Sequence, residues 1–171
     1  MRYEPIGEIE IEIVVIDTQD QCHSSVEELL AEKNQRYTNH RKSLVRILIE
    51  LAKPASLNEI LEVASQQSIN LPISTAYRNL AILEDCGVVR RLIASEDLGL
   101  YELAEALTGN HHHHLICEQC GDVNDLSSNS NLERALSRAA EMAMDQIDFQ
   151  VTGHRIDLTG ICSNCNKVDS K

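Results

Sequence analysis

Apolar residues recur every three or four positions between about residues 26 and 85, which is the repeat of amphipathic helices. Four helices are predicted, and the first runs from about Val26 to Asn34 after a polar linker, with Ser24 or Ser25 as its cap. Lys53-Pro54, Asn70-Leu71-Pro72 and Gly87 end the next three helices. Their inward residues are Leu44, Ile47, Leu48 and Leu51, then Leu57, Ile60, Leu61 and Ala64, then Ile73, Ala76, Leu80 and Leu83.

A two-residue alternation indicates strands elsewhere. Residues 8–16 alternate acidic and apolar side chains, which predicts either an added edge strand or an arm that binds a partner. Residues 88–94 and 100–104 form two further strands around a polar turn. Three short helices followed by this hairpin predict a winged helix-turn-helix.

The rest of the chain predicts a small α+β unit. Strands are expected over residues 111–117, 123–126 and 149–160, with a helix from about Asn131 to Asp145 before the last strand. The expected organisation is an acidic extension (1–21), a winged-helix DNA-binding domain (22–104), a hinge (105–110), and a dimerisation and metal-binding domain (111–171). The last unit is thin and needs a zinc ion, its partner domain or a second copy to be stable.

Two Cys-x2-Cys pairs predict a structural zinc site. Cys117 and Cys120 form one pair, and Cys162 and Cys165 form the other. One tight turn brings two thiolates to the same ion, so two pairs complete a tetrahedral shell. Cys22 and Cys86 lie outside the pairs, and we expect Cys86 to be buried and Cys22 to be an exposed thiol.

Four consecutive histidines precede the first cysteine pair and need a different explanation, because four thiolates leave no open position on zinc. If this run is a strand, its side chains alternate between two faces. His112 and His114 then share one face, while His111 and His113 share the other. The hypothesis is up to two further metal sites; the alternative is a solvated imidazole patch.

Charge is distributed unevenly along the 171 residues, whose formal net charge is −12. Residues 1–32 carry −8, residues 33–92 carry +4 and residues 93–171 carry −8. Phosphate is attracted by the local potential rather than by the total charge, so the middle third remains a candidate for DNA binding.

Within that basic region, the third helix of the motif is expected to enter the major groove. Its outward residues are Ser74, Thr75, Tyr77 and Arg78, and the basic turn before the first long helix adds Arg36, Tyr37 and Arg41. Alternatively, Tyr77 belongs to the core and Arg78 forms a surface ion pair. Further basic residues flanking the motif favour DNA.

Other classes of protein are less consistent with the sequence. No apolar run is long enough to span a membrane and no signal peptide is evident, so we expect a cytoplasmic protein. No metallohydrolase motif such as H-E-x-x-H is present, so neither an enzyme nor a small-molecule substrate is expected. A zinc-ribbon module that binds proteins without DNA is the alternative from another class.

Taken together, these motifs resemble the ferric uptake regulator family of metal-sensing bacterial repressors. The resemblance covers about residues 25–165. It rests on the blocks at residues 36–41, 74–80, 87–91, 101–103, 111–121 and 151–162, of which His111 to Cys120 is the most specific.

The resemblance implies a homodimer that binds palindromic operator DNA when loaded with metal. It implies structural zinc at the four paired cysteines. A regulatory site matches Glu102, His112, His114 and Asp125, and an additional metal site matches His111, His113, Glu133 and His154.

This chain departs from the family pattern at the regulatory site. Pro54-Ala55-Ser56 occupies the place where many iron-type members supply a histidine, and three extra residues separate Glu102 from the histidines. His40 or a water molecule is a candidate to complete the site. An imidazole-rich shell favours Zn²⁺ as the regulatory metal, with Fe²⁺ accepting the same ligands. Asp125 resembles the peroxide-sensing subgroup, so an iron-responsive or peroxide-sensing member is the alternative.

Overall fold

The computed structural model describes residues 18–95, 98–109 and 111–166. The acidic strand predicted at residues 8–16 lies outside this part of the chain. Four elements form the first half of the N-terminal unit: α1 (Thr18–Glu32), α2 (Asn39–Leu51), α3 (Leu57–Gln66) and α4 (Ile73–Asp85). The hairpin strands β2 (Val89–Ser95) and β3 (Leu98–Leu103) follow.

The first helix begins eight residues earlier than predicted, because it starts at Thr18 rather than at about Val26. Residues 18–25 therefore belong to the helix and are not a linker. Cys22, Val26 and Leu30 are buried at four-residue intervals and provide one apolar contact per turn. The proposed boundary between residues 21 and 22 falls inside this helix, and Cys22 is buried rather than exposed.

The winged helix-turn-helix is confirmed. A two-residue strand β1 (Ala55–Ser56), which the sequence did not predict, pairs with β3 to give the sheet order β1-β3-β2. Ser56 also begins α3 with a reciprocal capping box to Glu59, an arrangement that stabilises a helix start by about 1 kcal/mol. Ala76, Leu80 and Leu83 of α4 face the core as predicted, but Ile73 is 60% exposed.

The C-terminal unit follows a short helix α5 (Glu105–Thr108), which lies in the predicted hinge. Its elements are β4 (His112–Cys117), β5 (Val123–Ser127), α6 (Ser130–Ile147), β6 (Asp157–Gly160) and α7 (Ser163–Asn166). The sheet order is β5-β4-β6, with β4 antiparallel to β5 and parallel to β6. The last strand is shorter than predicted, beginning at Asp157 instead of Phe149.

The two units touch through a small apolar cluster. Leu92 and Leu100 of the hairpin pack with Ile116 of β4. The hairpin sheet thus lies next to the strand that carries the histidines, and this contact positions the sites described below. Among the helices of the described residues, none combines the length and apolarity needed to cross a membrane.

Candidate metal centres and nucleic-acid interface

The four paired cysteines converge at one end of the C-terminal sheet. Cys117 is the last residue of β4. The turn after it closes with a hydrogen bond from the Gly121 N–H to the Cys117 carbonyl, and Gly121 adopts the left-handed conformation that this turn needs, at φ 73°. Cys162 and Cys165 arrive on the turn and helix after β6, and the Cys162 N–H donates to Cys117 Sγ at 3.3 Å. All four cysteines have free thiols.

The separations of these sulfur atoms match a tetrahedral zinc site. Cys117 Sγ lies 3.9 Å from Cys165 Sγ, and Cys120 Sγ lies 3.8 Å from Cys162 Sγ. With zinc–sulfur bonds of about 2.3 Å, the edges of the tetrahedron measure roughly 3.8 Å. Sulfur atoms of a disulfide would be only about 2.05 Å apart.

The first thiolate of the cluster is stabilised by the backbone. N–H bonds from Cys162 and Cys120 lower the pKa of Cys117 to about 6. Hydrogen bonds to the neighbouring thiols raise the pKa of Cys165 instead. These backbone donors therefore favour the thiolate form of Cys117, the form that binds a metal ion.

Strand β4 separates the four histidines into two groups, as the alternation predicted. The rings of His112 and His114 lie 5.0 Å apart on one face, and those of His111 and His113 lie 4.9 Å apart on the other. His113 and His114 are buried. Each group meets a carboxylate from a different element.

The hinge cluster consists of Glu102, His112 and His114, whose ligand atoms lie within 4.8 Å of one another. Glu102 Oε2 is 3.3 Å from His112 Nε2 and 3.4 Å from His114 Nε2. With bonds of about 2.0–2.1 Å from zinc to nitrogen or oxygen, tetrahedral edges measure roughly 3.3–3.4 Å. The two separations therefore fit one small ion.

The ring of His114 is oriented from its other side. Asp157 Oδ1 lies 3.2 Å from Nδ1, so a neutral ring that donates Nδ1–H to Asp157 would keep its Nε2 lone pair for a metal ion beside Glu102, whereas the protonated ring can donate to both carboxylates. Although burial acts to lower the pKa of His114, hydrogen bonds to Glu102 and Asp157 and the Glu102 charge raise it overall. Burial likewise acts to raise the pKa of Glu102, but the His114 bond and Arg90 lower it overall.

The second oxygen of Glu102 is occupied by an arginine. Arg90, the cross-strand neighbour of Glu102, places Nε 2.8 Å and Nη2 2.6 Å from Oε1. Its Nη1 is 2.9 Å from Glu105 Oε1. The two carboxylates raise the pKa of Arg90 against the effect of burial, so the guanidinium is a permanent cation at the hinge.

The second cluster consists of His111, His113, Glu133 and His154. The two Glu133 oxygens are shared between the rings, with Oε1 3.0 Å from His113 Nε2 and Oε2 3.2 Å from His154 Nε2. His111 Nε2 is 3.0 Å from His154 Nε2. These separations also approach the edges of a small tetrahedral site.

Asp125, predicted at the regulatory site, lies at its edge. Its Oδ1 is 3.9 Å from His112 Nε2 and its side chain is 49% exposed. It is not part of the compact hinge cluster. A cavity of about 340 Å³ joins this edge to the winged-helix unit, with Cys22, Pro54, Glu102, His112 and Asp125 in its wall. This cavity gives small ions a route to the hinge cluster.

The residues that orient these clusters have no signal in the local sequence pattern. They are Arg90, Glu105 and Asp157. The pairing of Arg90 with Glu102 follows from hairpin register, which a turn of uncertain length conceals. Asp157 meets His114 because β6 runs parallel to β4, a pairing without a local sequence signal.

The candidate DNA surface includes most of the predicted residues. Ser74, Tyr77 and Arg78 of α4 are exposed and Thr75 is half-buried. Arg36 is exposed, whereas the Tyr37 hydroxyl bonds His23 and its ring lies 5.3 Å from Lys42 Nζ.

Arg41 differs from the prediction because it is only 6% exposed. Its Nε donates to Asn79 Oδ1 at 3.1 Å, and its other nitrogens bond the Arg36 carbonyl and Gln35. Asn79 in turn donates to the Thr75 carbonyl. Arg41 therefore joins α2 to α4 inside the fold and is not presented to a phosphate in this structure.

Comparison with known proteins gives one consistent family. The model of the ferric uptake regulator family matches residues 32–159. The peroxide-responsive repressor PerR of Staphylococcus aureus (strain USA300) is 29% identical over 143 residues, which cover 82% of this chain and 90% of that protein.

Solved structures agree in fold. The Helicobacter pylori ferric uptake regulator Fur superposes with a TM-score of 0.71 at 22% identity, covering 88% of this chain and 95% of that one. A zinc-bound manganese uptake regulator gives a TM-score of 0.56 at 28% identity, covering 80% and 98%.

Proposed function

Because the chain belongs to the ferric uptake regulator family of metal-dependent DNA-binding regulators, we propose that it is a zinc-responsive transcriptional repressor. Members of this family are regulators rather than enzymes, and they bind divalent metals. The proposal concerns the metal, the ligands and the operator. The hinge cluster carries it, because three ligand atoms from two domains lie at separations that fit one small ion.

The donor set of the hinge cluster supports zinc. It offers two imidazole nitrogens and a single carboxylate oxygen, because Arg90 occupies the second oxygen of Glu102. Zinc accepts four ligands of this mixed type, whereas Mn²⁺ favours oxygen-rich octahedral shells. His112, His114 and Glu102 would hold the regulatory ion, with Asp125 or a water molecule as the fourth ligand.

The second cluster and the cysteines complete the proposed metal sites. His111, His113, Glu133 and His154 would hold an additional ion, and Cys117, Cys120, Cys162 and Cys165 a structural zinc. The structural ion would join β4 to the segment after β6, which otherwise has little apolar packing.

The position of Glu102 suggests how metal would control DNA binding. Glu102 belongs to the hairpin sheet on which α4 packs, and His112 and His114 belong to β4. A bound divalent ion supplies the positive charge that lets one carboxylate and two imidazoles share a centre. Holding these three side chains together fixes the orientation of α4 relative to the C-terminal sheet. In a homodimer, this sets the distance between two α4 helices for palindromic half-sites about one helical turn, roughly 34 Å, apart.

DNA selection tests the proposal. Purified protein loaded with Zn²⁺, Fe²⁺ or Mn²⁺ is used in turn to select sites from a random DNA pool, and affinities for the selected site are measured by fluorescence anisotropy. We expect a palindromic site bound about 5- to 150-fold more tightly with zinc than after chelation of the non-thiolate metal. The His112→Ala variant should bind the selected DNA with the weak affinity of the chelated protein, whichever metal is added. Equal affinity with and without that metal would contradict the proposal.

Iron is the second candidate, favoured by the similarity to a peroxide-responsive repressor. The same assay distinguishes it. Tight DNA binding with Fe²⁺ that hydrogen peroxide abolishes, together with a weak response to zinc, would assign the protein to that class instead.

A further inference from the structure

The two histidine clusters have no ligand in common, since they lie on opposite faces of β4. A continuous line of charged side chains nevertheless joins them around the hinge. It begins at Glu102, whose two oxygens have separate partners. Oε2 faces His112 and His114, whereas Oε1 accepts a hydrogen bond from Arg90 Nε and makes a close ion-pair contact with Arg90 Nη2, which is buried and donates no hydrogen bond among the described residues.

The two carboxylate oxygens of Glu105, on α5, also have separate partners. Its Oε1 is 2.9 Å from Arg90 Nη1, and its Oε2 is 2.6 Å from His111 Nδ1. The other nitrogen of that ring, Nε2, faces His154 and Glu133 of the second cluster. Glu105 thus fixes which nitrogen of His111 is turned toward the cluster.

Arg90 suits the central position for two reasons. Its guanidinium is planar and rigid, so the Nε hydrogen bond and the Nη2 ion-pair contact with Glu102 Oε1 fix where Nη1 points. Its side chain is 23% exposed, and the Glu102 side chain is 7% exposed, so solvent screens this pair less than a surface pair. Arg90 thus connects the position of Glu105 to that of Glu102.

We propose that Glu105 and Arg90 are positioning residues that couple the two clusters, so that zinc in one raises the affinity of the other. Ordering His111 by metal would order Glu105, which would hold Arg90 and aim Glu102 Oε2 at His112 and His114. Binding linkage makes the effect equal in both directions. This inference rests on the proposed metal-binding function. It adds that the zinc affinity of the hinge cluster depends on whether the second cluster holds zinc.

A zinc titration of the full chain against a chelating dye tests the coupling. The double variant Glu133→Ala/His154→Ala leaves only the hinge cluster beside the cysteines, and His112→Ala leaves only the second cluster. The single-site affinities from these variants predict the unaltered chain's isotherm if its sites are independent. We expect the measured affinity for filling both sites to exceed that prediction by at least about fivefold, the low end of typical allosteric coupling.

Replacing the positioning residues should remove this excess while all ligands of both sites remain, and any change in a single site's own affinity is measured in the single-site variants of the same background. In the Glu105→Gln and Arg90→Lys backgrounds, the two-site isotherm should agree with the corresponding single-site variants to within about twofold. Lysine retains the charge but not the fork that spans two carboxylates. Glu141→Gln, on the exposed surface of α6, is the matched control and should retain full coupling.

The stoichiometry separates the two possible failures. Three zinc ions per chain with independent sites, or coupling that persists in Glu105→Gln and Arg90→Lys, would overturn the coupling and leave the proposed function intact. One zinc ion per chain, held by the cysteines alone, would overturn both.

Discussion

At the scale of single residues, the neighbours of each imidazole nitrogen decide what a histidine can do. His114 is fully buried and bonds Asp157 through Nδ1, while its Nε2 faces Glu102. A histidine that only fills a core needs no second carboxylate. The positions of these two carboxylates therefore favour a role as a metal ligand over a packing role. The carboxylates also change the pKa of the ring.

The raised pKa of His114 predicts pH-dependent zinc binding. Zinc needs the neutral ring, so lowering the pH should weaken zinc binding at the hinge cluster. Because the pKa of His114 is raised, the loss of affinity should begin while the pH is still above the ordinary histidine pKa of about 6.5. Below the raised pKa, the affinity should decrease by up to about tenfold per pH unit. Zinc titrations of Glu133→Ala/His154→Ala, which leaves the hinge cluster beside the cysteines, measure this at a series of pH values. In Asp157→Asn, which lacks one cause of the raised pKa, the fall should begin at lower pH.

Without zinc, the same shift acts on stability with the opposite sign. A raised folded-state pKa means that protonated His114 stabilises the fold below the ordinary pKa, and this contribution is lost as pH rises through the raised value.

Zinc affinity that stays constant from well above to well below the ordinary histidine pKa would contradict the assignment of His114 as a ligand.

The cysteine cluster should contribute to folding outright. Cys162→Ser removes one thiolate of four, and structural zinc contributes on the order of 10 kcal/mol to folding in small domains. We expect the variant to lose bound zinc and the C-terminal domain to unfold, as measured by metal analysis and circular dichroism. Cys22→Ala, which alters a buried cysteine outside the cluster, should keep its zinc. A zinc-replete, folded Cys162→Ser protein would refute a structural role.

At the scale of elements, two arginines of the DNA-binding unit should have different effects. Arg41→Ala leaves Asn79 and a backbone carbonyl without their charged donor, so it should lower the free energy of unfolding by about 2 kcal/mol. Arg78→Ala changes an exposed residue of α4 and should weaken operator binding about tenfold with little loss of stability. Urea unfolding and fluorescence anisotropy measure the two quantities.

The comparison between these variants decides the role of α4. Ser65→Ala, at an exposed position of α3, is the control and should change neither quantity by much. If Arg41→Ala weakened DNA binding at unchanged stability, the buried arginine would have to leave its position to contact DNA.

Much of the fold could be predicted from periodicity. The stripes of α2, α3 and α4 each bury several residues against one core, so the helical repeat is strong there. The start of α1 was missed because only Cys22 provides an apolar contact in its first turns. Strand β1 is two residues long and is defined by pairing with Tyr101 and Leu100, which no local pattern shows.

The same distinction, between local sequence patterns and contacts between elements, applies to the candidate sites. The division of His111 to His114 into two pairs follows from the two-residue repeat of a strand, and the sequence was sufficient for it. The roles of Arg90, Glu105 and Asp157 depend on contacts between elements. A periodic pattern identifies the face on which a residue lies, but not the residue it meets across a hinge.

At the scale of the whole molecule, the C-terminal domain carries exposed apolar side chains that no other part of the described chain covers. None of the residues of α6 is buried, although the helix is strongly amphipathic. The exposed large apolar residues of this helix and of the chain after it are Met142, Met144, Ile147, Phe149, Val151, Leu158 and Ile161. Patches of this kind mark interaction sites. This surface supports the proposed homodimer.

A charged residue in that surface should separate the subunits. Ile147 is 73% exposed and Phe149 is 57% exposed, and burying such a side chain contributes about 1.5–3 kcal/mol. We expect Ile147→Asp and Phe149→Asp to be monomeric by light scattering. A monomer contacts only one half-site, so operator affinity should fall even with zinc present.

Ile93 of the hairpin provides the control for this experiment, because it is similarly exposed, at 66%, but lies in the N-terminal unit. Ile93→Asp should remain dimeric with its zinc affinity unchanged. Since Glu102 and the histidines belong to one chain, the monomeric variants should also keep the hinge cluster's zinc affinity. Loss of DNA binding with zinc binding intact would show that metal and dimerisation contribute separately to operator recognition. A dimer that persists in both aspartate variants would place the subunit interface elsewhere.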